Sequence, residues 1–141
     1  MISSIFRCVH EKGIGMEKVL VIEDNRDNLR LITYALNRSG YEVVSAETGE
    51  EGVRLALAAR PFFIVMDLDL PGIDGYRATR NIRDAEAGNP IPIIAITSYA
   101  MVGDREKAIA SGCNGYIEKP IDPLTVVERI HEALRLMGKL S

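Results

Sequence analysis

Residues 64–75 read IVMDLDLPGIDG, in which an apolar run ends in two aspartates, Asp67 and Asp69, directly before Leu-Pro-Gly. Such a run is typical of a strand in the middle of a buried sheet. A carboxylate at the end of a buried strand destabilises the fold unless it is paired, hydrogen-bonded or bound to a metal ion. Asp67 therefore needs a partner, which other parts of the chain must supply.

The rest of the chain alternates between short apolar runs and amphipathic segments. Runs rich in Val, Ile and Phe favour strands of a parallel sheet, and they are KVLVIE, YEVVSA, FFIVM, IPIIAIT and a briefer GYIE. Helical periodicity places apolar faces at Leu29, Ile32 and Leu36, at Val53 and Leu57, at Tyr76, Thr79 and Ile82, and at Leu124, Val127, Ile130, Leu134 and Met137. A further short helix is expected over residues 104–110. This alternation predicts an α/β fold, a doubly wound parallel sheet with helices on both faces.

Composition limits the possible partners and the organisation of the domain. A chain of 141 residues with 47% hydrophobic content and no long apolar run is expected to form one globular domain over residues 17–138. Residues 1–16 are expected to be a flexible extension without the features of a secretory signal, and residues 139–141 a short tail. The net charge of −3, without a basic cluster, argues against nucleic acid and membrane partners. Cys8 and Cys113 lie far apart, which favours a reducing cytoplasm over a disulfide framework.

Polar residues follow the predicted strands at their carboxyl ends. Glu23 and Asp24 close the first strand, Asp67 the third and Thr97 the fourth, and Lys119 follows the fifth. Ligands of open parallel sheets bind at the carboxyl ends of the strands, where the winding direction reverses. These residues are therefore expected to converge on one pocket.

Three carboxylates in one pocket would repel one another unless a cation lay between them. Carboxylate ligands suit Mg²⁺, whereas zinc would require His or Cys, which this set of residues lacks. Thr97 and Lys119 can stabilise the oxygens of a transferring phosphoryl group. Asp67 is then a candidate nucleophile that would form an aspartyl phosphate.

Four segments, in order and at matching spacing, resemble the receiver domains of two-component response regulators: VLVIEDN, MDLDLPGIDG, AITS and GYIEKP. The resemblance covers residues 17–138. It implies a flavodoxin-like sheet of five strands in the order 2-1-3-4-5, with five helices. It also implies that Asp67 is the phosphoacceptor for a sensor histidine kinase or a histidine phosphotransfer protein.

The resemblance implies a ligand set for the metal ion. Asp24 and Asp67 are expected to bind Mg²⁺ directly, Glu23 chiefly through a bound water, and Asp69 through its backbone carbonyl. Mg²⁺ is thus the expected cofactor.

Asp67, Thr97 and Lys119 are the catalytic residues that the resemblance implies, because the last two contact the phosphoryl group. Thr97 and Tyr116 are the implied switch, in which the hydroxyl moves toward phosphate and the aromatic ring fills the vacated space. The Lys119-Pro120 bond is expected to be cis, which aims the lysine into the pocket.

The implied protein is a bacterial, single-domain response regulator that acts in a phosphorelay. It is expected to signal through altered contacts with a downstream target protein, as a monomer or a phosphorylation-dependent dimer. Apart from Mg-dependent self-phosphorylation and self-dephosphorylation, no enzymatic activity is expected.

Two other functions stay open at this point. The Asp-x-Asp pattern also resembles the nucleophile motif of haloacid-dehalogenase-like phosphohydrolases, although Leu-Pro follows it here and an acidic pair precedes it. The second alternative is a receiver-like module that binds partners without phosphate. The presence of all the residues needed for phosphoryl chemistry argues against it. A flavin domain is disfavoured because no phosphate-binding loop follows the first strand.

Several polar side chains have less specific interpretations. The Asp69 side chain is interpreted either as a solvated acid that points away from the sheet, which we favour, or as a neighbour of the phosphoryl group. His131 is expected at a polar position of the last helix. The charges in DREKA, RNIRDAE and GEEGVR are expected on solvated helix faces.

Overall fold

Strands and helices alternate through the part of the chain that the computed structural model describes, residues 17–98 and 101–140. The predicted extension, residues 1–16, lies outside the described residues. The strands are β1 (Lys18–Ile22), β2 (Glu42–Ala46), β3 (Ile64–Asp67), β4 (Ile93–Thr97) and β5 (Gly115–Glu118). The helices are α1 (Arg26–Arg38), α2 (Gly49–Ala59), α3 (Gly75–Ala85), α4 (Asp104–Ser111) and α5 (Val126–Leu136). None of these helices is long and apolar enough to span a bilayer.

The five strands form one parallel sheet in the order β2-β1-β3-β4-β5, which confirms the doubly wound, flavodoxin-like fold. The chain builds the sheet outward from β1 in one direction and from β3 in the other. The winding therefore reverses between β1 and β3, where ligands of this architecture bind. Because the strands are parallel, all their carboxyl ends lie along one edge of the sheet.

Alternate side chains of the sheet pack into two separate apolar layers. Val19 and Val21 point to the layer that α1 and α5 cover, whereas Leu20 and Ile22 point to the layer formed with α2, α3 and α4. All four residues of β3 are buried. Asp67, the last of them, therefore ends a strand that is shielded on both faces.

Side-chain caps determine how the chain leaves the sheet next to the carboxyl edge. Asn25, Thr48 and Asp74 follow β1, β2 and β3, and each accepts a hydrogen bond from a backbone N–H in the first turn of the next helix. Such a cap is worth about 1 kcal/mol. The caps therefore hold the first three loops of this edge in defined conformations.

Two expectations about helix faces are wrong. Leu124 is 90% exposed because it lies in the turn before α5, which begins at Val126, so helical periodicity does not apply to it. Arg83 and Glu86 do not lie on a solvated face; their ion pair is 2.7 Å long and the side chains are only 19% and 7% exposed. The Arg83 guanidinium also donates to the Gly112 carbonyl, because α3 packs beside the turn that follows α4.

His131 is not at a polar position either, because it packs across the domain against Tyr41. The Nε2 atom of His131 lies 2.7 Å from the Tyr41 hydroxyl, and the two rings meet edge to face. Burial lowers the pKa of His131 below its usual 6.5; Glu128 partly offsets this effect and Arg135 adds to it.

The lowered pKa of His131 predicts a pH dependence of stability. The unfolded chain takes up the imidazole proton more readily than the folded protein, so the contribution is present above pH 6.5 and is lost as the pH falls through the lowered folded-state value. We expect the free energy of unfolding to drop less between about pH 7.5 and about pH 5.5 in His131→Gln than in the parent. Urea denaturation at both pH values measures the difference, and equal drops would contradict it.

Candidate functional site

Loops at the carboxyl edge bring together the acids that the sequence singled out. Glu23, Asp24 and Asp67 each place a carboxylate oxygen within 4.8 Å of the other two. The first two residues follow β1 and the third ends β3, so the cluster stands where the winding reverses. Glu23 and Asp67 are buried and Asp24 is exposed. An ion entering from solvent would thus meet Asp24 first.

Lys119 supplies positive charge to this cluster from the end of β5. Its Nζ atom lies 3.3 Å from Oδ1 of Asp67 and 3.4 Å from Oε1 of Glu23. The same atom is 3.9 Å from Oδ2 of Asp69. Burial alone would lower the pKa of Lys119, but the carboxylates of Asp67 and Glu23 outweigh it and raise that pKa above its ordinary value. The lysine is therefore a fixed cation in the site, and the bond to Pro120 is cis, as expected.

Two buried oxygen atoms of the acid cluster accept no hydrogen bond from the described residues, although one of them, Glu23 Oε1, lies 3.4 Å from the Lys119 ammonium. Glu23 Oε1 and Asp67 Oδ2 are buried without a hydrogen-bond partner among the described residues. The other oxygens have donors, since Glu23 Oε2 accepts from the Asn25 N–H and Asp67 Oδ1 accepts from the Asp69 N–H and from Lys119. Leaving such oxygens unpaired is costly, and a cation would compensate them. Carboxylate oxygens without nitrogen or sulfur ligands fit Mg²⁺ and not zinc.

The protonation of Glu23 points to the same unmet need for a cation. Burial and the adjacent Asp67 carboxylate raise the pKa of Glu23 from 4.5 to about 7, while the Asn25 N–H and Lys119 act in the opposite direction. One lysine therefore does not fully neutralise the cluster. A divalent cation would favour the ionised form of Glu23.

The Asp69 side chain turns into the site, so the favoured interpretation of a solvated acid pointing away from the sheet is wrong. Its Oδ1 atom accepts a hydrogen bond of 2.9 Å from the Thr97 hydroxyl. Its Oδ2 atom accepts one of 2.9 Å from the Ser98 backbone N–H. The side chain is only 20% exposed. Sequence reasoning missed Ser98 because it contributes a main-chain group, and only its position directly after Thr97 could have indicated it.

Thr97 and Tyr116, the implied switch, lie on neighbouring strands. The Thr97 side chain is buried at the end of β4. Tyr116 is partly buried on β5, where it pairs with Ala95, and the guanidinium of Arg105 stands 5.9 Å from the centre of its ring. Thr97 thus lies in the site and Tyr116 on the adjoining strand, while their coupled motion stays a prediction.

Comparisons with known proteins agree with this arrangement. A family model described as the response regulator receiver domain matches residues 19–131. The polar-differentiation response regulator DivK of Brucella anthropi is 37% identical over 118 residues, which cover 84% of this chain and 96% of that protein.

Solved structures show the same similarity. The receiver domain of a sensor histidine kinase from Pseudomonas aeruginosa, with a magnesium ion coordinated in its active site cleft, has 40% identity and a TM-score of 0.76, covering 88% of this chain and 99% of that one. A chain in the co-crystal structure of the Saccharomyces cerevisiae histidine phosphotransfer protein Ypd1 with the receiver domain of Ssk1 has 28% identity and a TM-score of 0.76, covering 87% and 92%. This chain therefore belongs to the response regulator receiver domain family.

Proposed function

We propose that Asp67 accepts a phosphoryl group from a phosphohistidine of a sensor histidine kinase or a histidine phosphotransfer protein. The observation that carries this proposal is the position of Asp67. It is a buried carboxylate at the end of a central strand, in contact with the cation of Lys119, with one oxygen left without a donor. The similarity to a receiver domain studied with a histidine phosphotransfer protein supports this class of donor.

The transfer requires a nucleophilic oxygen and charge stabilisation. One carboxylate oxygen of Asp67 forms a bond to phosphorus while the bond from phosphorus to the imidazole nitrogen of the donor breaks, and the electron pair of that bond stays on the nitrogen. The ammonium group of Lys119 contacts the acceptor, and the hydroxyl of Thr97 donates to Asp69, two residues further on. Both groups are proposed to stabilise the negative phosphoryl oxygens. Hydrolysis by water would later restore the carboxylate.

We propose Mg²⁺ as the cofactor, held by Asp24 and Asp67 directly, by Glu23 through water and by the backbone carbonyl of Asp69. The two buried carboxylate oxygens that accept no hydrogen bond from the described residues, and the magnesium ion of the Pseudomonas aeruginosa receiver domain, support this choice. When bound, the ion neutralises negative charge on the transferring group. The residues of the chain position the acceptor and the donors around it.

Phosphorylation is proposed to act on a downstream target protein by a population shift. Phosphate would stabilise the arrangement in which Thr97 and Tyr116 have moved inward, and so change the surface of α4 and β5 in a monomer or a phosphorylation-dependent dimer. We assign residues 17–138 to the domain because β1 begins at Lys18 and α5 ends at Leu136. A cytoplasmic location stays a prediction that depends on the cysteine usage.

Chemical labelling tests the proposed function. The protein is incubated with a small phosphodonor and Mg²⁺, and its intact mass is measured before and after treatment with hydroxylamine, which cleaves acyl phosphates. We expect one added phosphoryl group that hydroxylamine removes and that does not form when the divalent ion is chelated. Continuous release of phosphate from many unrelated phosphate esters would instead identify a phosphohydrolase.

A further inference from the structure

The carboxylate of Asp69 occupies hydrogen-bond donors at the carboxyl edge of the sheet, among them the Thr97 hydroxyl that is proposed above to bind the phosphoryl group. The Thr97 hydroxyl and the Ser98 N–H each donate to one oxygen of Asp69 at 2.9 Å. Lys119 lies 3.9 Å from Asp69 and 3.3 Å from Asp67, so the lysine stands between the two acids. Three donor groups thus surround an anion that the chain itself provides.

Two anions cannot use these donors fully at the same time. A hydroxyl and a backbone N–H each have one hydrogen to donate. Hydrogen bonds to an ionised acceptor are shorter and roughly twice as strong as those between neutral groups. A carboxylate presents two negatively charged oxygens, as one edge of a phosphoryl group does. The Asp69 side chain therefore resembles an incoming phosphoryl group both in charge and in the donors that it uses.

We propose that Asp69 is an internal competitor for the phosphoryl-binding donors, which holds them in the unphosphorylated protein and must rotate away when Asp67 is phosphorylated. This inference rests on the proposed function, because it requires the phosphoryl group to be on Asp67. Rotation of the side chain leaves the backbone in place, so the Asp69 N–H keeps its hydrogen bond of 2.9 Å to Asp67 Oδ1. The loop that carries the Asp69 side chain therefore also holds the Asp67 carboxylate, through the Asp69 backbone N–H.

The competition has two consequences. The affinity of the site for a phosphoryl group is reduced by the free energy needed to displace Asp69, which lowers the extent of phosphorylation by any given donor. The Thr97 hydroxyl is also already drawn into the site before phosphorylation. Asp69 thus biases the unphosphorylated protein toward the arrangement of the proposed switch in which the Thr97 hydroxyl has moved inward.

Beryllium fluoride, a tetrahedral analogue of a phosphoryl group that binds to carboxylates, tests the inference. It is titrated with Mg²⁺ into the parent protein, Asp69→Ala and Asp69→Asn, and binding is followed by ¹⁹F NMR and by the ¹H–¹⁵N signal of Ser98. In the parent, the analogue can bind only after the hydrogen bonds to the charged Asp69 carboxylate are broken, whereas Asp69→Ala has no such hydrogen bonds. We therefore expect Asp69→Ala to bind the analogue at least about tenfold more tightly than the parent does. Asp69→Asn, which keeps the shape and loses the charge, is expected to lie between them.

Glu118→Gln is the matched control, since it removes one exposed negative charge directly beside Lys119 in sequence. We expect its affinity to stay within about twofold of the parent, as for an exposed and screened charge. Without any analogue, the Ser98 amide signal is expected to move in Asp69→Ala and to stay in place in Glu118→Gln.

The outcomes separate the inference from the proposed function. Equal or weaker binding by Asp69→Ala, together with an unmoved Ser98 signal, overturns the competition and leaves phosphorylation of Asp67 intact. Equal tightening in Glu118→Gln also overturns it, because general electrostatics would then explain the effect. Failure of the parent and every variant to bind the analogue overturns the proposed function and the inference with it.

Discussion

Asp67→Asn is expected to abolish phosphoryl transfer to the protein and to leave the fold at least as stable as that of the parent. The amide is uncharged and its oxygen is a poor nucleophile, so no acyl phosphate forms on the side chain. Its shape is that of the carboxylate, and the Asp69 N–H and Lys119 can still donate to its oxygen. Removing one charge beside the buried Glu23 relieves repulsion in a cluster that a single lysine does not neutralise.

Two measurements check this result. The mass assay with a small phosphodonor and Mg²⁺ should show one added group in the parent and none in Asp67→Asn, while urea denaturation should give an equal or higher midpoint. Asp84→Asn removes an exposed carboxylate from α3 and serves as the control that keeps its label. A hydroxylamine-sensitive label on Asp67→Asn would show that another acid is the acceptor and contradict the assignment.

Gly75→Ala is expected to lower the free energy of unfolding by about 3 kcal/mol, at the upper end of the range for overpacked sites. An added Cβ at Gly75 would lie 2.3 Å from the carbonyl oxygen of Asp67 and 2.6 Å from the Cα of Leu68. Both are backbone atoms, so no side-chain rotation relieves the overlap. Because the overlap is with the acceptor residue itself, the backbone shift that accommodates it should also slow labelling of Asp67.

Gly115→Ala is the matched control for this substitution. Its added Cβ would lie 3.0 Å from Cδ1 of Ile94, which can rotate, and 3.0 Å from the Cβ of Ala133, which moves only with α5. The contacts with these two residues involve no backbone atom of the site. We expect Gly115→Ala to lower the free energy of unfolding by about 1 kcal/mol or less and to leave the labelling of Asp67 unchanged. Urea denaturation of both variants measures the difference, and an equal loss in the two would refute the role given to close backbone approach at Gly75.

The fold could be predicted from the sequence because its signals are local and repeated. Apolar runs of strand length, separated by helical periodicity, indicate which faces are buried, and only a parallel sheet with crossover helices buries all of them. The gathering of Glu23, Asp24 and Asp67 follows from this topology, since the carboxyl ends of parallel strands must share one edge. The charged residues of the site could therefore be identified from the sequence alone.

The predictions from sequence were wrong where a polar side chain bonds to a partner in a distant segment of the chain. His131 bonds to Tyr41, 90 positions away, and Arg83 to Gly112, 29 positions away, although both were expected at polar or solvated helix positions. Periodicity assigns a residue to a helix face, but a polar residue on the border of that face can pack inward or remain in water. The neighbouring element decides, and its position is not encoded in the helix itself.

Asp69 shows most clearly the difference between what the sequence determines and what the tertiary structure determines. The sequence by itself determined that an acid follows the acceptor by two positions, at the edge where the phosphoryl group would bind. Only the tertiary structure decided where that acid points, because the Thr97 hydroxyl and the Ser98 N–H lie at and just after the end of another strand, nearly thirty residues along the chain. A loop carboxylate is drawn to whichever donors the fold places within hydrogen-bond distance, and here those donors belong to the site.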